Sequence, residues 1–309
     1  MDKNLRAVFV DSNNVLAGVM QGLIRPDDMP VQINQQPEIK PEMLPELLGD
    51  APIMIIDHTY FPTDIAKQCK GLKHVVFLGV GPSSYMNVAE LEAMGISVHI
   101  IKGYGSTSVA EFTFALMLDC AKKTAFMDKG IREGNWLRTQ GMQLKDKTVG
   151  LIGFGDIGAE MARMCLGFGM KVQAWNRSPK TYPGVPFVSM DEVLATSDVI
   201  SLHVTLTDET RNMISRERIA KMQPGVLLVN TARGALIDDD ALVDALKSGH
   251  VRHAGLDVFD KEPLSKDHPY VALPNVTLTA HSAWRTPEAN SNLLGASLDH
   301  CRRIAKEGK

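Results

Sequence analysis

Val149-Gly150-Leu151-Ile152-Gly153-Phe154-Gly155-Asp156-Ile157-Gly158 is the stretch from which the fold of this chain is read. An apolar run leads into Gly-x-Gly-x-x-Gly, and an amphipathic helical pattern follows at 157–168. The hexapeptide alone is a weak signal among 25 glycines. Set between a strand and a helix it is a dinucleotide fingerprint. Gly153 permits the tight turn, Gly155 lets backbone approach a pyrophosphate, and Gly158 lets helix and strand pack closely. The helix start then offers free amides and the positive end of its dipole to the phosphates.

Outward from this point the pattern repeats. Strands are predicted at 148–152, 171–175, 199–204, 226–230, 253–257 and 276–279. Helices fit at 157–168, 190–194, 216–222 and 239–247. Six strands with interleaved helices match a doubly wound nucleotide domain. The first hundred residues alternate in the same way. Strands are predicted there at 7–11, 31–34, 52–57, 74–80 and 97–101, and helices at 41–48, 62–69 and 87–94. Runs apolar on both faces are those of parallel strands covered by helices, so the fold class is α/β with two doubly wound domains. One long apolar helix, 109–129, joins the halves, and a last helix runs over 287–305. The division expected is 1–102 with 284–309 in one domain and 103–283 in the other.

Composition narrows the function. With 309 residues, 33 Lys+Arg stand against 36 Asp+Glu, a formal charge of −3, which argues against nucleic-acid binding as the main function. Cys69, Cys120, Cys165 and Cys301 are too scattered for a zinc site or a disulfide framework. The apolar run near the start ends at Asp11, too soon for a signal peptide, and no run reaches the length of a membrane span. A soluble cytoplasmic protein with no membrane partner and no metal is expected. Asp238-Asp239-Asp240 reads as a helix cap with an acidic first turn.

The residue about 20 positions beyond the glycines chooses the dinucleotide. Asn176-Arg177-Ser178 stands there, with Lys180 close by. An acidic residue would bind a free ribose and repel a 2′-phosphate. A neutral amide followed by a guanidinium favours NADP(H), with NAD(H) left open. Three more predicted strands end in polar side chains. Leu227-Leu228-Val229-Asn230-Thr231-Ala232-Arg233-Gly234 brings an arginine, Gly255-Leu256-Asp257-Val258-Phe259-Asp260-Lys261-Glu262-Pro263 a glutamate, and Leu278-Thr279-Ala280-His281-Ser282-Ala283-Trp284 a histidine. Strand C-termini face the ligand crevice of a doubly wound sheet, so the three can converge. His203 and Asp257 are balanced between a site role and a structural one.

VGLIGFGDIG, LLVNTARGALID, AGLDVFDKEPL and LPNVTLTAHSA, with SVAEFTFALML and the Gly79-Val80-Gly81 turn, resemble the D-isomer-specific 2-hydroxyacid dehydrogenase family from about residue 70 onward. The first sixty residues match only in pattern. The resemblance implies a flavodoxin-like substrate-binding domain beside a Rossmann domain, a cleft that closes between them, and a homodimer in which helix 109–126 takes part. It implies that Arg233 clamps the substrate carboxylate, that His281 exchanges a proton with the carbonyl oxygen, and that Glu262 bonds the other imidazole nitrogen. Gly79, Val80, Gly81, Tyr60 and Trp284 would meet the substrate. Gly153, Phe154, Gly155, Asp156, Ile157 and Gly158 would hold the pyrophosphate, and Asn176, Arg177 and Ser178 the adenosine end. His203, Val204, Thr205, Thr231, Ala232, Arg233 and His281 would line the cofactor, and Asp257 would bind the nicotinamide carboxamide.

The pattern is departed from at Ala280, where members carry Pro, and at Thr205, and neither change removes a functional group. The Pro82–Asn87 loop lacks the family's usual acidic run, and as the resemblance puts it beside the substrate, chain-specific substrate choice is expected there. The stretch His58-Thr59-Tyr60-Phe61-Pro62-Thr63 has no Arg or Lys, which argues against a phosphorylated substrate. Tyr60, Phe61 and Trp284 suggest an aromatic wall. The reading is reduction of glyoxylate, hydroxypyruvate or a larger 2-oxoacid. Formate oxidation is opposed by Glu262, phosphite oxidation is not opposed by the triad, and a corepressor-like dinucleotide-binding protein would be told apart by its lack of turnover.

Overall fold

The computed structural model describes residues 5–307. Residues 1–4, where the stretch read against a signal peptide begins, and 308–309 lie outside the described residues. The chain divides into two compact units, one of residues up to Gly105 and from Arg285 onward, the other Ser106–Trp284. Trp284 thus closes the second unit. No helix among the described residues is long and apolar enough to cross a membrane.

The first unit is built on five parallel strands, β1 (Ala7–Phe9), β2 (Val31–Ile33), β3 (Ile53–Ile56), β4 (His74–Phe77) and β5 (Ser97–Ile100), in the order β2-β1-β3-β4-β5. This is the flavodoxin-like order. Its central strands are buried throughout, as strands covered on both faces must be. A helix absent from the sequence reading, Asn14–Leu23, follows β1. Asn13 caps it by accepting the Leu16 amide at 2.9 Å, and Leu16, Ala17 and Met20 bury its inner face. It packs on the returning helix Pro287–Glu307. Phe61 is fully buried in this unit's core, so it packs rather than walls a pocket.

The second unit carries β6 (Thr148–Ile152), β7 (Lys171–Trp175), β8 (Val199–Leu202), β9 (Val226–Asn230), β10 (Val251–Leu256) and β11 (Val276–Leu278), all parallel, in the order β11-β10-β9-β8-β6-β7. Side chains alternate between faces. Leu228 faces one apolar layer with Ile152, Ile200 and Leu256; Leu227 and Val229 face the other with Val149, Leu151 and Val172. The six strands do not fill a six-membered Rossmann order. The place beyond β7 is held by a single bridge, Ala174 to Phe187.

The helix expected over 109–129 is two helices, Ser106–Lys122 and Thr124–Arg132. Lys123 takes a left-handed conformation at φ 58° and breaks it. The Asp119 carboxylate caps the second helix by accepting the Ala125 amide at 2.7 Å and the Thr124 hydroxyl. The first of the two lies on its own unit's sheet, against β9, β10 and β11. The Asp238 carboxylate caps Asp239–Ser248, accepting the Ala241 amide at 3.0 Å. All four cysteines are buried and unpaired, and burial pushes Cys69 up to about 11 and Cys165 and Cys301 to about 12.

Three imidazoles meet in the first unit. His99 Nε2 lies 3.3 Å from His74 Nδ1, and its ring is 5.4 Å from that of His300 on the last helix. Burial, with the charges of His300, His74 and Arg303, pushes His99 down to about 4, against a weaker pull from Glu307. Burial lowers His74 and His300 as well. His99 is therefore neutral at pH 7 when folded and takes up a proton on unfolding below its ordinary 6.5. Its contribution to stability is present above that value and is lost as pH falls towards about 4, and the lowering of His74 and His300 acts in the same direction. Thermal unfolding followed by circular dichroism should therefore show Tm falling across this window. His99→Gln should flatten the fall, and a variant as acid-sensitive as the parent contradicts the assignment.

Candidate active site

The glycine turn lies at the C-terminal end of β6, where the sheet order reverses and ligands of doubly wound folds bind. Gly153 has φ 96°, and a Cβ there would lie 2.4 Å from the His203 carbonyl oxygen. A Cβ on Gly158 would lie 2.6 Å from the Gly153 carbonyl oxygen. Both glycines are therefore demanded by close packing. Gly155 differs, because a Cβ there meets nothing within 4 Å. It stands at the N-cap of the twelve-residue helix Asp156–Gly167 without a side-chain cap, and the first amides of a helix have no partner within it. A cradle kept clear beside a helix N-terminus fits a dinucleotide pyrophosphate.

The adenosine end is bounded by the turn after β7. The Asn176 side chain accepts the Phe154 amide at 3.0 Å and donates to the Ser178 carbonyl at 2.8 Å. Arg177 is 81 % exposed and pairs with Glu209 at 3.6 Å. The His203 amide donates to the Ile152 carbonyl at 2.7 Å, and its ring meets the Ser201 hydroxyl at 3.0 Å. Burial pushes this imidazole down to about 4, so it is neutral, and it is the backbone amide that ties the end of β8 to β6. Val204 packs on the apolar layer beside it, and the Thr205 carbonyl accepts the Thr210 hydroxyl.

Arg233, Glu262 and His281 come from the loops after β9, β10 and β11, which are adjacent strands. Glu262 Oε2 lies 2.7 Å from His281 Nδ1, with the two side chains 34 % and 40 % exposed. Glu262 Oε1 accepts the Phe259 amide at 2.9 Å. Partial burial would raise the Glu262 carboxyl, but the His281 hydrogen bond, the Phe259 amide and the charges of His281 and Arg233 outweigh it and hold it below its ordinary value. The arginine loop is brought in by Gly234, where a Cβ would lie 2.0 Å from the Phe259 carbonyl carbon. An imidazole oriented by a carboxylate, with a guanidinium on the same edge, is an acid–base group beside an anion clamp.

The comparisons agree with this geometry. The model of the "D-isomer specific 2-hydroxyacid dehydrogenase, NAD binding domain" family matches residues 114–283. The chain belongs to the D-isomer-specific 2-hydroxyacid dehydrogenase family. A hydroxypyruvate reductase of Thermotoga maritima is 39 % identical over 275 residues, covering 87 % of this chain and 89 % of that one. A glyoxylate reductase of Aeropyrum pernix is 37 % identical over 238 residues, 73 % and 71 % of the two chains. A solved protein structure from Thermus thermophilus superposes with a TM-score of 0.87 at 31 % identity, over 98 % of this chain and 97 % of that one. Oxidoreductase chemistry on 2-hydroxyacids and 2-oxoacids with a nicotinamide dinucleotide follows from the family.

Within this dehydrogenase, Asp257 holds the loop that carries His281. Its carboxylate is fully buried and accepts the Thr279 hydroxyl at 2.6 Å and the amides of Ser282 and Ala283 at 3.0 and 2.9 Å. These donors tie the end of β10 to the histidine loop. Its own carbonyl accepts the His281 amide at 2.8 Å, and His281 is held at φ 48°. Asn230 escaped the sequence reading. Fully buried at the end of β9, it accepts the Ala232 amide at 3.0 Å and donates to the Arg233 carbonyl at 2.9 Å. A lone amide closing the apolar run Leu-Leu-Val was its only signal. Thr231 is buried, its hydroxyl 2.7 Å from Thr113, whose own proton goes to the Val109 carbonyl.

Of the remaining substrate candidates, Trp284 ends the second unit and the others belong to the first. Gly79-Val80-Gly81 follows β4, with Val80 half exposed and no hydrogen bond among the described residues on the Val80 and Gly81 amides. Tyr60 is exposed and lines a cavity of about 610 Å³ with Ser83, Met86 and Asn87.

The glycines separate packing from binding. Gly155→Ala should leave Tm within about 2 °C, because its Cβ enters open space, yet weaken dinucleotide binding about tenfold in a fluorescence titration. Gly234→Ala should cost about 1–3 kcal/mol in urea unfolding, because backbone must give way.

Proposed function

We propose that the chain reduces a small unphosphorylated 2-oxoacid, of the glyoxylate or hydroxypyruvate kind, to the D-2-hydroxyacid, with NADPH preferred and NADH usable. The observation that carries this reading is the 2.7 Å pair of Glu262 and His281, with Arg233 close enough to lower the Glu262 carboxyl. Arg233 clamps the substrate carboxylate with two parallel hydrogen bonds and polarises the carbonyl. His281 gives the proton from its second ring nitrogen to the carbonyl oxygen as the carbon is reduced. Glu262 fixes the tautomer and stabilises the cationic ring before transfer. A bound reduced nicotinamide supplies the hydride and leaves oxidised. The exposed Arg177, and the absence of a carboxylate at Asn176, support the 2′-phosphorylated cofactor.

The relatives named as hydroxypyruvate and glyoxylate reductases support the substrate class. The buried, unpaired cysteines support a reducing cytoplasmic setting. Trp136 at 77 % exposed, Ile131 and Leu137 form an apolar surface around Thr124–Arg132 and support a homodimer. A double Ile131→Asp, Trp136→Asp variant should run as a monomer in light scattering where the parent runs as a dimer.

The test is oxidation of NADPH and NADH by purified protein over a panel of 2-oxoacids. His281→Ala should lower kcat about a hundred- to ten-thousandfold. Arg233→Lys should act largely on KM, because the two-pronged contact is lost. Turnover that survives His281→Ala overturns the reading, as does tight dinucleotide binding with no turnover on any member of the panel.

A further inference from the structure

Arg177 and Glu209 form an ion pair that the proposed chemistry does not use. Arg177 follows β7 and Glu209 lies in the turn after β8; these strands flank β6 on either side. The pair therefore reaches across the end of β6, over the glycine turn, spanning two strand spacings of about 10 Å. Both exposed side chains stand on held backbone. The Asn176 amide ties the Arg177 turn to Phe154 and Ser178. On the other side the Thr207 amide donates to the Thr210 hydroxyl at 2.7 Å, that hydroxyl donates to the Thr205 carbonyl at 2.8 Å, and the Arg211 amide donates to the Thr207 carbonyl at 2.9 Å. The approach of Glu209 to Arg177 is set by these turns.

From this geometry we infer that Glu209 is a specificity-determining residue, which holds the Arg177 guanidinium and weakens the preference for a 2′-phosphorylated dinucleotide. The inference rests on the NADPH reading above. A 2′-phosphate that pairs with Arg177 must share it with the Glu209 carboxylate, and the two anions repel. A 2′-hydroxyl carries no charge, so a dinucleotide without the phosphate leaves the pair undisturbed. Glu209 thereby narrows the gap between the two cofactors.

Dissociation constants for NADPH and NADH, measured by fluorescence titration without substrate, test this on the parent chain, E209Q, R177Q and the double variant. E209Q should raise the ratio Kd(NADH)/Kd(NADPH) roughly two- to fivefold, through tighter NADPH, as fits an exposed pair. R177Q should lower the ratio, and on that background E209Q should change nothing. If R177Q lowers the ratio while E209Q leaves it unchanged, or raises it through weaker NADH alone, the role of Glu209 is overturned and the NADPH reading stands. If R177Q does not move the ratio, the NADPH reading falls and the role of Glu209 with it.

Discussion

A fully buried carboxylate, that of Asp257, sets the shape of the reacting edge. A charge out of water is tolerable only with a full set of donors, and Asp257 has a hydroxyl and two backbone amides. All come from residues 279–283, so the turn after β11 is moulded around the end of β10. His281 is drawn into a left-handed conformation that a non-glycine residue adopts only where its surroundings fix it. The imidazole then meets Glu262, whose other oxygen is anchored by the Phe259 amide of its own loop.

Arg233 arrives by a different constraint. Asn230 closes the loop on itself from both sides, and Gly234 lets that loop lie against the backbone of Phe259 and Asp260. Arg233, Glu262 and His281, the three side chains proposed as catalytic, thus depend for their placement on one carboxylate, one amide and one missing Cβ. Neighbouring parallel strands make this economical, since loops leaving adjacent C-termini need only short ties.

The legible part of the chain was the part where chemistry leaves few options. Gly153 and Gly158 announced a packed turn because no side chain fits there, and six apolar runs announced the second sheet to within two residues at each end. Arg233, Glu262 and His281 were readable from their motifs, and the structure puts them on three adjacent strand ends. What escaped depended on partners distant in sequence. Asn14–Leu23 carries Gly18 and Gly22, which weaken a helical pattern, and it is held by Asn13 and the last helix instead. The break at Lys123 comes from Asp119 capping a new helix, a signal hidden inside an apolar run. The structural bonds of Asp257 were hidden as well, because a motif reports the residue and not the direction of its carboxylate.

The first unit repeats the device on its own sheet. Asp11, fully buried after β1, accepts the amides of Asp57, His58 and Thr59 after the neighbouring β3 at 2.9, 2.9 and 2.8 Å. The loop so held has no Arg or Lys, yet it does carry a cation. A hydrogen bond to Asp57 raises His58 to about 9 in spite of partial burial, aided by the charges of Asp11, Asp57 and Glu38. It is an imidazolium at neutral pH. Yet one positive charge faces three carboxylates, so the cluster is anionic as a whole and its cation is already engaged. A phosphate approaching it would meet net repulsion, where a free guanidinium would have met it with paired donors. In the function proposed above, it is this charge balance around His58, and not the absence of Arg and Lys, that weighs against a phosphorylated substrate.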